Sequence, residues 1–236
     1  MGSYGNKLIT SHNNNNNASK PMANRVKHRA NTRNIAGILS QATFADLENG
    51  IHWYDRALTA SQALADEYAI TTAQAAGVIS ALSPNNKWQR NIYDADRLIR
   101  AAIDDKQDDV KVCTFGLNKV KALKIMDLAF DHGYDESIDV DTISAILNGQ
   151  KVTAFFRCIM GDTDTVCVDG HAFAIFKGQR IPTSKTPNIG KGLYLTIQRS
   201  YQLVADRSAD IVRHKLTPSQ VQAVTWVTYR RMLKDA

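Results

Sequence analysis

From Met22 onward the apolar residues recur at intervals of three and four, the period of a helix with one buried face. In the segment from Gly50 to Tyr68, Trp53, Ala57, Ala60, Leu64 and Tyr68 fall close to one face. Thr71 to Leu82 opens on threonines, whose hydroxyls suit the free N–H groups of a first helical turn, and continues as an apolar run. Pro84 ends that helix, since it has no N–H and a fixed φ. The period resumes after Asn91 with Ile92, Ala95, Leu98, Ile99 and Ala102, and again from Asn118, where Gly133 is placed as a C-cap. Asp139 to Gln150 and Lys151 to Gly161 read as two short helices around a tight turn at Asn148 and Gly149, a helix-turn-helix shape whose glycine can take φ > 0. The segment from Thr217 to Leu233 starts on a threonine cap with proline at the first helical position. Val110 to Phe115 and Thr165 to Gly170 have the composition of short strands, without enough alternation to build a sheet. The pattern therefore predicts an all-α fold.

Composition narrows this only a little. The 236 residues are enough to bury a substantial core, and no apolar run approaches the roughly 20 residues of a membrane span. A formal charge of +6 favours a polyanionic partner. The three cysteines, Cys113, Cys158 and Cys167, lack the spacing of a zinc or iron–sulfur site and read as buried thiols of a reducing cytoplasm. No histidine pair has ligand spacing, so neither a metal nor a cofactor is expected. Residues 1–21, with their run of asparagines before Met22, read as an expression leader or a disordered tail ahead of a single domain over 22–236. Lys177 to Leu195, rich in Gly, Pro, Lys and Thr, reads as a long loop, either a connector or a basic cover for a phosphate backbone.

Chemistry enters where the pattern is broken. In Val166 to Phe176 an apolar run is interrupted by Asp169, Gly170 and His171. Burying a carboxylate is costly unless it is paired or hydrogen-bonded, so Asp169 is a helix cap, a chemical site, or both. His171 is either a polar neighbour of that cap or a second working group. A second break, Ser83 to Asn91, offers Asn85, Asn86, Trp88, Arg90 and Asn91, groups able to bond a base edge, stack on a base or hold phosphate. The competing reading is a turn with a core tryptophan.

Taken in order, these segments resemble the helix-hairpin-helix DNA glycosylase superfamily. "ISALSPNN" with "QRN" is similar to its L-S-x-Q segment and later asparagine, placing Asn85 and Asn91 at those positions; Ser83 belongs to the same motif. "VKALKI", with Lys121, is similar to its K-A-x-x-I helix, and "ILNGQKVTA" to its hairpin L-P-G-V-G-x-K-T-A, through Asn148, Gly149, Gln150 and Lys151. "VDGHAFAI" resembles V-D-T-H-I-F-R-V, whose aspartate is catalytic, and Asp169 takes that position. The resemblance runs from about Gly77 to Phe176 and implies a two-lobed helical fold, a cleft with Ser83 to Asn91 on one side and Asp169 on the other, and double-stranded DNA as partner. Val152 falls where bifunctional members carry a nucleophilic lysine, and Lys151 beside it points about 100° away, which speaks against lyase chemistry.

The chain is similar, further, to the phage branch of that superfamily which hypermodifies thymine, the pyrophosphorylases or amino acid:DNA transferases. The resemblance thus implies an enzyme that flips out a modified base of phage-type DNA, in the host cytoplasm, and acts on it with Asp169. The first expectation is monofunctional excision. The second is transfer of an amino acid or amine to a 5-methylene carbon with loss of pyrophosphate, and the third is a non-catalytic DNA-binding module. Lys119, Lys121, Lys124, Lys151, Lys177, Arg180, Lys185 and Lys191 are the expected phosphate contacts.

Overall fold

The computed structural model describes residues 31–132 and 140–234. Among them every regular element is helical: α1 (31–39), α2 (Phe44–Ile51), α3 (Trp53–Tyr68), α4 (Thr72–Leu82), α5 (Trp88–Ile103), α6 (Gly116–His132), α7 (Val140–Leu147), α8 (Gln150–Ile159), α9 (Gly170–Lys177), α10 (Lys191–Asp206), α11 (Ser208–Val212) and α12 (Pro218–Lys234). No strand forms among the described residues. Thr165 to Asp169 is instead a non-helical approach to α9, which starts at Gly170, with Val166, Cys167 and Val168 buried, and Val110 to Phe115 leads into α6. The tail at 1–21 and the cap at Gly133 lie outside the described residues.

Helix α4 is the centre of one group. Every residue from Ala73 to Leu82 is buried, and the helix packs on α3, α5, α6, α7 and α8. An element apolar on all sides has to be surrounded, and its alanines and Gly77 let neighbours approach closely. Thr71 caps it with Gln74 in a reciprocal capping box. Ile79, Leu82, Leu98 and Ile99 are fully enclosed, each worth about 1.5–3 kcal/mol over its exposed state. Helix α12 is the centre of the other group, packed on α2, α9 and α10 and touching α3. A Cβ on Gly50 would meet Val224 Cα at 2.4 Å, so α2 and α12 touch backbone to backbone. Asp46 accepts from Arg231 across the same junction. The two groups meet where α3 lies on α2 and α12.

Helices α7 and α8 are joined through Asn148 and Gly149, as the sequence predicts, but the residues exchange roles. Asn148 holds the positive φ, 39°, and Gly149 is extended at φ −151°. Asparagine tolerates the left-handed region better than most side chains.

Candidate functional site

Asp169 is the N-cap of α9. Its Oδ1 accepts from the Ala172 N–H at 2.8 Å and its Oδ2 from Trp226 Nε1–H at 3.1 Å. Burying most of a carboxylate is tolerated here because each oxygen has a donor. The approach to the cap is pinned by Tyr194, whose hydroxyl accepts from Val168 N–H at 3.0 Å and lies within reach of the carbonyls of Gln150 and Val166. Burial pushes the hydroxyl of Tyr194 and the thiol of Cys167 well above their usual ranges, so the layer beneath the carboxylate is uncharged at neutral pH.

Asp169 opens onto a cleft of about 390 Å³. Its walls are the α7–α8 turn with Gly149, Gln150, Lys151 and Val152, Asn118 and Lys121 of α6, Pro84, and Thr186 to Ile189. Asp169 is the acid among the described residues of that wall, set against Lys121 and Lys151. Lys121 Nζ donates to the carbonyl of Leu147, placing its charge at the negative end of α7. Helix α8 begins at the cleft wall with Gly149 as N-cap and no side-chain cap bond, so its first-turn N–H groups have no intrahelical partner. The expected Lys177–Leu195 loop is shorter than the composition suggests, since Lys191 already starts α10. Gln150 Nε2 donates to Ile189 O at 3.1 Å and ties that loop to the hairpin.

The structure thus brings together Lys121, Gly149, Gln150, Lys151 and Asp169, with Asn148 next to them in the turn. It does not bring Ser83, Asn85, Asn86, Trp88, Arg90 or Asn91 into the cleft, which receives only Pro84 from that segment. Asn91 is buried and donates to Ile79 O at 2.9 Å, so it is not exposed as expected. Ser83 bonds back to Ser80 O, and Asn85 is an exposed turn residue with φ 58°. Asn86 and Arg90 are both spent on Asp94, a fully buried carboxylate whose Oδ1 accepts from Arg90 at 2.8 Å and whose Oδ2 accepts from Asn86 at 3.1 Å and from the Cys113 N–H at 2.8 Å. The stretch is a turn locked onto Asp94. Cys113, on the far side of that lock, is exposed, unlike the buried Cys158 and Cys167.

Trp88 packs on Trp53, with ring centroids 5.2 Å apart, and Trp53 also meets Tyr54, Phe155 and Trp226. Trp226, which bonds the carboxylate, carries no signal in the sequence beyond helical spacing in α12. His171 lies edge-on to Trp226 and Tyr229, and its Nδ1 is enclosed without a hydrogen-bond partner among the described residues. Burial lowers its pKa, Arg230 and Lys151 push the same way, and Asp169 opposes them.

A histidine whose folded pKa is depressed binds fewer protons folded than unfolded at acid pH, so stability is full above the unfolded value and falls as pH drops through it toward the folded one. The melting temperature of the wild type is therefore expected to fall between pH 7 and 5 more steeply than that of His171→Gln. Parallel curves would show that His171 is not held neutral.

Among the described residues no three His, Cys, Asp or Glu side chains group as a metal site, and no helix is long and apolar enough to cross a membrane. No curated protein and no solved structure matches the chain. Residues 17–233 match the model of a family described as a family of unknown function, DUF7178, and the chain belongs to that family.

Proposed function

We propose that the protein acts on a base of double-stranded DNA turned out of the helix, with Asp169 as the working carboxylate. The observation that carries this reading is the meeting, in one cleft, of a capped and fixed carboxylate with two lysines and the open first turn of α8. The lysines and the α8 amides suit phosphate. The carboxylate suits a centre that becomes positive. In excision, the bond from C1′ to the base breaks with its electron pair leaving on the base. Asp169 stabilises the cationic sugar, a water oxygen then bonds C1′ and gives its proton to Asp169, and the departed base takes up a proton from solvent. The packing of the helices into groups around α4 and around α12, and the α7–α8 turn at the cleft, support the likeness to a two-lobed glycosylase with a helix-hairpin-helix. Val152 stands at the position where the resemblance places a lyase lysine, so that position offers no amine for an imine, although Lys121 and Lys151 share the wall.

One observation favours a second reading. Lys121, Lys151 and the α8 amides would also seat a departing pyrophosphate: its C–O bond to the 5-methylene carbon breaks, the amine nitrogen bonds that carbon, and the amine's proton passes to Asp169. DNA of phage type with modified thymine, and an amino acid or amine, are then the substrates.

Mass spectrometry of nucleosides and free bases, after incubation with candidate modified DNAs with and without amino acids, separates the outcomes. A released base supports excision and an adduct with pyrophosphate supports transfer. No change in any DNA would leave a binding module and remove the catalytic reading. Binding should weaken steeply with salt, because each neutralised phosphate releases counterions, and Lys151→Ala should lower the slope of log K against log salt by about one. A slope near zero for the wild type would count against DNA.

A further inference from the structure

All three tryptophans of the chain, Trp53, Trp88 and Trp226, meet in one cluster although they arise from α3, α5 and α12. Each is only half-buried. The cluster is joined to Asp169 through the indole N–H of Trp226, and to the cleft through Phe155 of α8, one turn beyond Lys151. The carboxylate therefore has two unlike neighbours. Toward the α7–α8 turn lie ammonium groups and the first turn of α8, and toward α3 and α12 lie indole rings, one of them under the Arg230 guanidinium.

A nucleotide has the same division. Its phosphate needs cations and N–H donors, its ring needs flat apolar partners, and its sugar carbon stands between them. Indole faces hold bases with little regard to sequence, because every base presents a π face. One Trp226 face is covered by the Arg230 guanidinium, 4.5 Å from the ring centroid; the surface left for a planar partner is what the half-burial of the three rings exposes. Next to them, the enclosed Nδ1 of His171 is a polar atom still unspent.

Building on the proposed function, we infer that the tryptophan cluster is the seat of the base ring, and that the cationic cleft holds only the sugar–phosphate. Three half-exposed indoles beside a carboxylate suit a planar ligand, where an aliphatic core would pack with no flat polar-edged face to offer.

Because the cluster contains every tryptophan, emission excited selectively at the indoles reports on it alone. The test titrates the protein with an oligothymidylate strand and with an abasic sugar–phosphate strand of equal length and charge, following both anisotropy and tryptophan emission. Both strands are expected to bind, with emission quenched by oligothymidylate only. Trp88→Leu is expected to weaken oligothymidylate binding roughly tenfold while leaving the abasic strand unchanged. Circular dichroism verifies its helicity, and should that variant not fold, the two strands on the wild type decide. Equal quenching by both strands, or binding of oligothymidylate with unchanged emission, overturns the base seat while leaving the cationic cleft intact. Failure of both strands, and of a duplex of the same length, to bind overturns the proposed function together with the inference.

Discussion

Asp169→Asn is expected to lower product formation roughly 10²–10³-fold, the loss seen when a single charge-stabilising group is removed from a reacting centre. The substitution is not silent for folding. Asp169 serves two donors, the Ala172 N–H and the Trp226 Nε1–H, and asparagine offers one acceptor oxygen. Its amide group must then face one of those donors, at a cost of about 1–2 kcal/mol. Adding Trp226→Phe removes the indole donor and should restore part of the stability without restoring turnover. Thermal melts and the nucleoside assay on the single and double variants check both halves. Full turnover in the single variant would remove Asp169 from the chemistry and leave it a helix cap.

Asp94→Ala is expected to have the largest effect on stability, a loss of about 3 kcal/mol, read as a shift in the denaturant midpoint. Asp94 has no exposed surface and accepts from Asn86, Arg90 and the Cys113 N–H. Truncation removes three hydrogen bonds at once and strands the buried amide donors. Asp94→Asn should fall in between, because one of its two polar atoms can no longer accept. A midpoint within error of the wild type would mean that the turn at Ser83 to Asn91 is held by something other than this carboxylate.

The helices were legible because their signals are local. Thr71, Thr217 and Asp169 sit where caps are needed, and Pro84 where a helix must stop. Asp169, Lys121 and the hairpin were legible as candidates because each stands at a break in an apolar period. What was not legible depends on residues distant in the chain. Asn86 and Arg90 have the side chains of a base-reading segment, and nothing in their own spacing says that a buried acid on the next turns of α5 consumes them. Trp226 looks like one more core position until α12 is laid beside α9. Gly149 was the natural place for a positive φ, yet Asn148 carries it, because which residue bends depends on where Gly149 must sit to start α8.

The contact between α2 and α12 bears on the order in which a new chain becomes competent. Helices α3 to α8 supply α4 with most of its neighbours and can gather while the rest is still being synthesised. Helix α2, near the start of the described residues, must wait for α12, which follows every other described helix; Asp46 and Arg231 are separated by 185 positions. The same late helix brings Trp226 to Asp169. Until α12 docks, the carboxylate has its cap but neither its indole partner nor the third tryptophan of the cluster, so the site is complete only once α12 is in place.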